Sequence, residues 1–91
     1  MILENLQFMV HPSISKDWLA FEDEYWLPWL KQQRGFMRKE IRMSGGIATN
    51  IIWWKDQKSW DEAAQKTKEM ELFNLRMRQL FGSKVTMLRT F

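Results

Sequence analysis

The stretch IATNIIWWK at residues 47–55 runs through DQK into SWDE at residues 59–62, and its reading decides the fold. Ile47 to Lys55 is rich in β-branched and tryptophan side chains, the composition of a strand. Ile51 and Trp53 share one face of it; Ile52 and Trp54 share the other. Apolar side chains on both faces predict cover on both, although an antiparallel sheet in a small domain usually keeps one face wet. Asp56-Gln57-Lys58 reads as a short connection. Ser59-Trp60-Asp61-Glu62 reads as a capping box that opens a helix.

Upstream, Ser44-Gly45-Gly46 is a hairpin signal. It joins the strand to an alternating segment, Phe36 to Met43, in which Met37, Ile41 and Met43 oppose Arg38, Glu40 and Arg42. Leu3 to Val10 also alternates, with Leu6, Phe8 and Val10 on one side and Asn5, Gln7 and Met9 on the other. His11-Pro12 ends that strand, because proline has no N–H for the ladder. A helix is expected from about Lys16 to Gln33, capped by Ser13 or Ser15, with Asp17 in its first turn and Gly35 as its stop. Pro28 falls inside it and predicts a kink or a shortening.

Downstream, the second helix first buries Trp60, Ala63 and Ala64. Met70, Phe73, Met77 and Leu80 then form a face rotated by roughly 110° from the first, which predicts a break between Gln65 and Glu69. Gly82 stops the helix, and Val85 to Phe91 reads as a last strand. The order β-α-β-β-α-β is the ferredoxin-like α+β arrangement, a four-stranded antiparallel sheet with two helices on one face. It spans residues 1–91 as one domain.

The first helix carries an anomaly. At about 100° per residue, Trp18, Phe21, Tyr25, Trp26 and Trp29 fall on one broad face. Glu22 falls among them, whereas Asp23 and Glu24 point away. A carboxylate on a face that should be buried needs a partner, a raised pKa or a wet cavity.

The 91 residues are 45% hydrophobic and include six Trp, six Phe and seven Met. A chain of this length buries only roughly 60–65% of its unfolded surface, so so much apolar area points to oligomerisation. With no cysteine there is no disulfide and no thiolate metal site, which suits a cytoplasmic protein. No apolar run approaches the ~18 residues of a membrane span, and Met1-Ile2-Leu3-Glu4 lacks the features of a signal peptide. The net charge of +3 is low for a dedicated nucleic-acid binder.

The strand ending in Trp54-Lys55, the aromatic Trp60 opening the next helix, and Gly35-Phe36 before the second strand resemble the dimeric α+β barrel superfamily. The nearest resemblance is to its antibiotic-biosynthesis-monooxygenase-like (ABM-like) branch. Glu24, Trp26, Pro28 and Gly35-Phe36 resemble more narrowly a small cyanobacterial-type family of single-domain proteins. The resemblance implies a homodimer whose two sheets pack face to face, with a pocket between each subunit's helices and its own sheet. Members of the superfamily include cofactor-independent oxygenases of polycyclic aromatics, haem-degrading enzymes and isomerases. Haem degradation would need an Asn on the first strand, where Asn5 stands, and a Trp and a His on the second helix. Ala63 and Phe73 occupy those two positions, so that route is not expected, and His11 at a strand end offers no haem ligand.

Glu22 is the candidate catalytic group, a pocket acid or base able to take a proton from a phenol or enol. Its ordinary alternative is an edge carboxylate paired with Arg38, Arg89 or a lysine. The candidate ligand-binding residues are Asn5, Gln7, Trp18, Tyr25, Trp26, Trp29 and Trp53. For the tryptophans the alternative is core and dimer interface, although their indole N–H groups still need partners. For Asn5 and Gln7 it is an edge or a polar network. His11 reads as a surface strand-end residue, the methionines as gap-fillers and the basic residues as a solvated face. Trp53 or Trp54 could stack bases on a sheet, but positive charge around them is thin.

The expected function is binding of a small aromatic molecule by a homodimer, either as a cofactor-independent monooxygenase-like enzyme or as a non-catalytic binder of a ligand or partner. No metal, membrane or nucleic-acid partner is expected.

Overall fold

The computed structural model describes residues 1–90. Strand β1 (Ile2–Val10) is followed by a helical segment built from α1 (Ser15–Phe21), a π-helical turn (Glu22–Trp26) and α2 (Leu27–Lys31). Strands β2 (Phe36–Ser44) and β3 (Ile47–Trp54) form a hairpin. Helices α3 (Gln57–Ala64) and α4 (Thr67–Phe81) lead to β4 (Val85–Thr90). The sheet order is β2-β3-β1-β4, and all three pairings are antiparallel. This is the ferredoxin-like α+β fold expected from the order of elements; Phe91 of the expected last strand lies outside the described residues.

Alternation sets the two faces of the sheet. Leu6, Phe8 and Val10 on β1 and Ala48, Asn50, Ile52 and Trp54 on β3 are buried beneath the helices. Trp18, Leu30 and Ala63 pack onto them from the helical layer. The opposite face of β3, with Ile47, Thr49, Ile51 and Trp53, is only half-buried, and Leu3 and Met9 beside it are exposed. Within one chain, therefore, only one face of β3 is covered. Arg38 partly shields the other, its guanidinium lying 4.4 Å over the Trp53 ring.

Pro28 acts through the π turn rather than through a sharp kink. It has no N–H to offer residue 24, and its ring crowds that carbonyl. The turn before it widens, and the Leu27 N–H donates to the Glu22 carbonyl instead. The wider turn changes the phase of the helix. Tyr25, expected on the inner face, is 42% exposed, whereas Trp26 stacks on Trp29 with ring centroids 4.8 Å apart.

Several local expectations are corrected. The His11 imidazole, not Ser13 or Ser15, accepts from the Ser13 N–H at the first helical turn. Asp56 caps α3, accepting from both the N–H and the hydroxyl of Ser59, so Ser59 sits inside the helix and Asp56-Gln57-Lys58 is no connection. Ala64 is exposed and Trp60 half-buried, so of the three apolar residues expected inside only Ala63 is fully buried. The break falls at Gln65-Lys66, inside the predicted window, but Leu80 is exposed and Phe81 packs in its place. On β2 a bulge between Phe36 and Arg38 turns Met37 out to solvent and sets Lys39 beside Ile41 on the helix-facing side.

Candidate functional site

A cavity of about 290 Å³ lies between the helical layer and the sheet. Leu6 and Phe8 of β1, Asn50 of β3 and Met87 of β4 form its sheet side. Phe21, Glu22 and Trp26 close one helical side; Met70, Phe73, Asn74 and Met77 of α4 close the other. Apart from Asn74, its polar lining is Glu4, Glu22 and Asn50.

Glu22 is the first residue of the π turn and is 5% exposed. Its Oε1 accepts from Asn50 Nδ2 at 2.6 Å and lies 3.6 Å from the Lys39 ammonium, whose side chain is 3% exposed. Burial holds the Glu22 carboxyl above the usual carboxylate range, with Lys39 and Asn50 opposing the shift. Burial likewise lowers Lys39 below the usual lysine range, with Glu22 opposing. Both shifts follow from the cost of charge in a low dielectric. Asn50 itself is 1% exposed, and its Oδ1 has no hydrogen-bond partner among the described residues.

Glu4 supplies a second carboxylate. It accepts from the Trp54 indole at 3.0 Å, and burial raises its pKa against the bonds from Trp54 and Trp60. A void of about 20 Å³ shares Glu4, Trp26 and Met70 with the main cavity.

Of the residues singled out in the sequence, Glu22 and Trp26 line the main cavity. Trp29 stands behind Trp26, with its indole donating to Glu69 at 3.2 Å. Trp18 is fully buried against Phe8, and its Nε1 has no partner among the described residues. Tyr25 leans on Phe21 at 5.1 Å, away from the cavity. Asn5, Gln7 and Trp53 belong to the opposite face of the sheet, where Gln7 bonds Thr49. They are not brought to this site. Arg38, the first of the two arginines expected as partners of Glu22, pairs with Glu40 instead, and the Arg89 side chain lies outside the described residues. Lysine fills that role, through Lys39. Phe73 lines the cavity, Ala63 is core, and exposed His11 bonds Ser13.

Lys39, Asn50 and Glu4 were passed over in the sequence, yet each interrupts an apolar alternation. Asn50 stands between Ala48 and Ile52, Glu4 two residues before Leu6, and Lys39 two before Ile41. A polar residue in the buried phase of a strand was the available signal.

No protein-family model and no curated protein matches the sequence. Two solved structures are similar in fold. One is a conserved protein from Methanosarcina mazei Go1, at a TM-score of 0.64 and 15% identity, covering 96% of this chain and 89% of that one. The other is a monooxygenase from the gene ActVA-Orf6 of Streptomyces coelicolor, solved in complex with nanaomycin D. Its TM-score is 0.61 at 11% identity, covering 98% of this chain and 83% of that one. This chain therefore shares the ferredoxin-like α+β fold of both structures, with four antiparallel strands under its helices.

Proposed function

We propose that the chain binds a small, flat, hydrophobic aromatic molecule between its helices and its sheet, and that Glu22 takes a proton from a phenolic or enolic hydroxyl of that molecule. The observation that carries this reading is a buried carboxylate of raised pKa in the wall of a largely apolar cavity of about 290 Å³. Such a volume stands at the small end of ligand pockets, roughly 300–1,000 Å³, which fits a molecule of two or three fused rings. A carboxylate with a raised pKa is a stronger proton acceptor, and the apolar walls strengthen its bond to the ligand.

The catalytic form of the reading is a cofactor-independent, monooxygenase-like reaction. A deprotonated phenol is electron-rich and donates to dioxygen. One oxygen atom enters the ring as a quinone carbonyl, the other leaves as water, and Glu22 takes up the hydroxyl proton before passing it on. The fold shared with the Streptomyces monooxygenase supports this reading. A non-catalytic binding role is favoured by one observation: Lys39 and Asn50 both engage Glu22 Oε1, as they would hold a structural carboxylate.

The assembly in this reading is a homodimer that covers the open sheet face. The half-buried Ile51 and Trp53 and the exposed Leu3 and Met9 there support it.

Tryptophan fluorescence titrated with a naphthol tests the pocket, and protein-dependent oxygen uptake with conversion of that naphthol to its naphthoquinone tests the chemistry. Quenching in the wild type that weakens in Glu22→Gln is expected. Absence of quenching overturns the pocket. Binding without oxygen uptake leaves the binding role and removes the enzyme. Light scattering that reads a monomer at micromolar concentration overturns the dimer.

A further inference from the structure

The polar lining of the cavity is one-sided. Glu22 and Glu4 are acceptors when ionised, and both line it. The bonds to Glu22 fall on Oε1, and the Trp54 indole reaches Glu4 at its Oε1. No hydrogen bond among the described residues reaches Glu22 Oε2, and Glu4 is held by the Trp54 and Trp60 indoles alone. Asn50 adds to this. Its amide N–H₂ is directed to the Glu22 carboxylate, so its unpartnered atom is the acceptor Oδ1. Among the described residues no lysine, arginine or histidine lines the cavity. Lys39, 3.6 Å from Glu22 Oε1, is not part of the lining.

The acceptors are also spaced. Leu6 pairs with Asn50 and Glu4 with Ile52 across the β1–β3 ladder, so Glu4 and Asn50 are diagonal neighbours on the same face. Diagonal neighbours are roughly 7–8 Å apart. Glu22 stands on Asn50, so the two carboxylates meet the cavity at separate points of its wall, and its volume of about 290 Å³ is of the order that two fused rings need.

We propose that the cavity selects a neutral, flat, two-ring aromatic that carries a proton donor, O–H or N–H, at each end, with Glu22 receiving one donor and Glu4 the other. Glu4 is a specificity-determining residue in this arrangement. A carboxylate-bearing aromatic is rejected, because it would face two carboxylates in an apolar site. An aromatic with acceptors alone leaves both glutamates unsatisfied. The inference rests on the cavity being the ligand site.

The probes are naphthalene, a naphthol, a naphthalenediol with hydroxyls at opposite ends, the matching diamine, and the hydroxynaphthoic acid of the same shape. The wild-type protein should bind the diol about tenfold more tightly than the naphthol, the gain of one charge-assisted hydrogen bond. The diamine should follow the diol, and the acid should bind most weakly. Glu4→Gln keeps an acceptor for Trp54 and should bring the diol to the affinity of the naphthol while leaving the naphthol unchanged. Equal affinity for diol and naphthol in the wild type, or tight binding of the acid, overturns the proposal without touching the pocket reading. Failure of the naphthol and naphthalene alike overturns the pocket reading instead. Because the comparison is made on the wild type, it stands even where Glu4→Gln fails to fold.

Discussion

Asn50 Nδ2 donates to Glu22 Oε1 at 2.6 Å and so joins the middle of β3 to the one π turn of the helical layer. Neither residue is more than 5% exposed, and Lys39 lies 3.6 Å from the same carboxylate oxygen. The three form a buried polar group in which each member is costly without the others. Asn50→Ala should destabilise the fold by roughly 2–3 kcal/mol, since it leaves a buried carboxylate short of its donor. Lys39→Met should cost about as much or more, by removing the one cation that lies beside this buried anion among the described residues. Denaturant unfolding of the two single variants and the double variant should show a coupling of about 1–3 kcal/mol. Strict additivity would mean the three do not act as a unit.

The raised carboxyls set a pH dependence with a definite sign. Glu22 and Glu4 hold their protons to higher pH in the folded chain than in the unfolded one. Their contribution to stability is fully present below the ordinary carboxylate pKa and is lost as pH rises through the folded values. Lys39 is lowered, so its contribution is present above the ordinary lysine value and is lost as pH falls through its folded value. Thermal unfolding should therefore show a melting temperature that rises from neutral pH towards about pH 5. The rise should flatten in a Glu4→Gln, Glu22→Gln variant. A melting temperature that falls over the same interval in the wild type, with no change in the variant, would contradict the assigned shifts.

Gly35 closes the first helical layer at φ +81°, and a Cβ there would run into the Ser59 hydroxyl, which Asp56 already holds. Gly35→Ala meets backbone strain and a collision together. The strain alone is of order 1–3 kcal/mol. Combining it with Ser59→Gly should recover the collision and leave the strain. A double variant as unstable as Gly35→Ala would show that the hydroxyl is not what the glycine makes room for.

The order of strands and helices was legible because each rests on a local signal: alternation for the strands, Gly45-Gly46 at the hairpin, the rotated apolar face for the Gln65-Lys66 break. The site was only partly legible, and the misses have physical causes. A constant 100° rotation placed Tyr25 inside, but the π turn imposed by Pro28 changed the phase and left it half in solvent. Regular alternation grouped Met37 with Ile41, but the bulge after Phe36 turned Met37 outward. Asn5 and Gln7 were chosen as polar residues on an apolar strand. Their phase placed them opposite Leu6 and Phe8, and so on the face away from the helices. The same phase rule marks Glu4 and Asn50 as the polar residues that do face inward.

Helix α4 has no fully buried residue, although Met70, Phe73 and Met77 turn half-buried side chains to the cavity. It is bounded by the break at Gln65-Lys66 and by Gly82 at φ +58°. A wall that meets a cavity instead of a packed core loses the dispersion contacts that a filled space would supply. Its local opening should therefore cost less than that of β1 or β3. In hydrogen exchange, the amides of Thr67–Phe81 should exchange faster than those of Ile47–Trp54 in the free protein, and saturating naphthol should slow them about tenfold or more. A Phe73→Ala variant should lose most of that slowing while β3 keeps its protection. Protection in α4 that equals that of β3 without ligand, or that is indifferent to naphthol, would show that the helix is held by its packing alone and that the cavity is not where the naphthol binds.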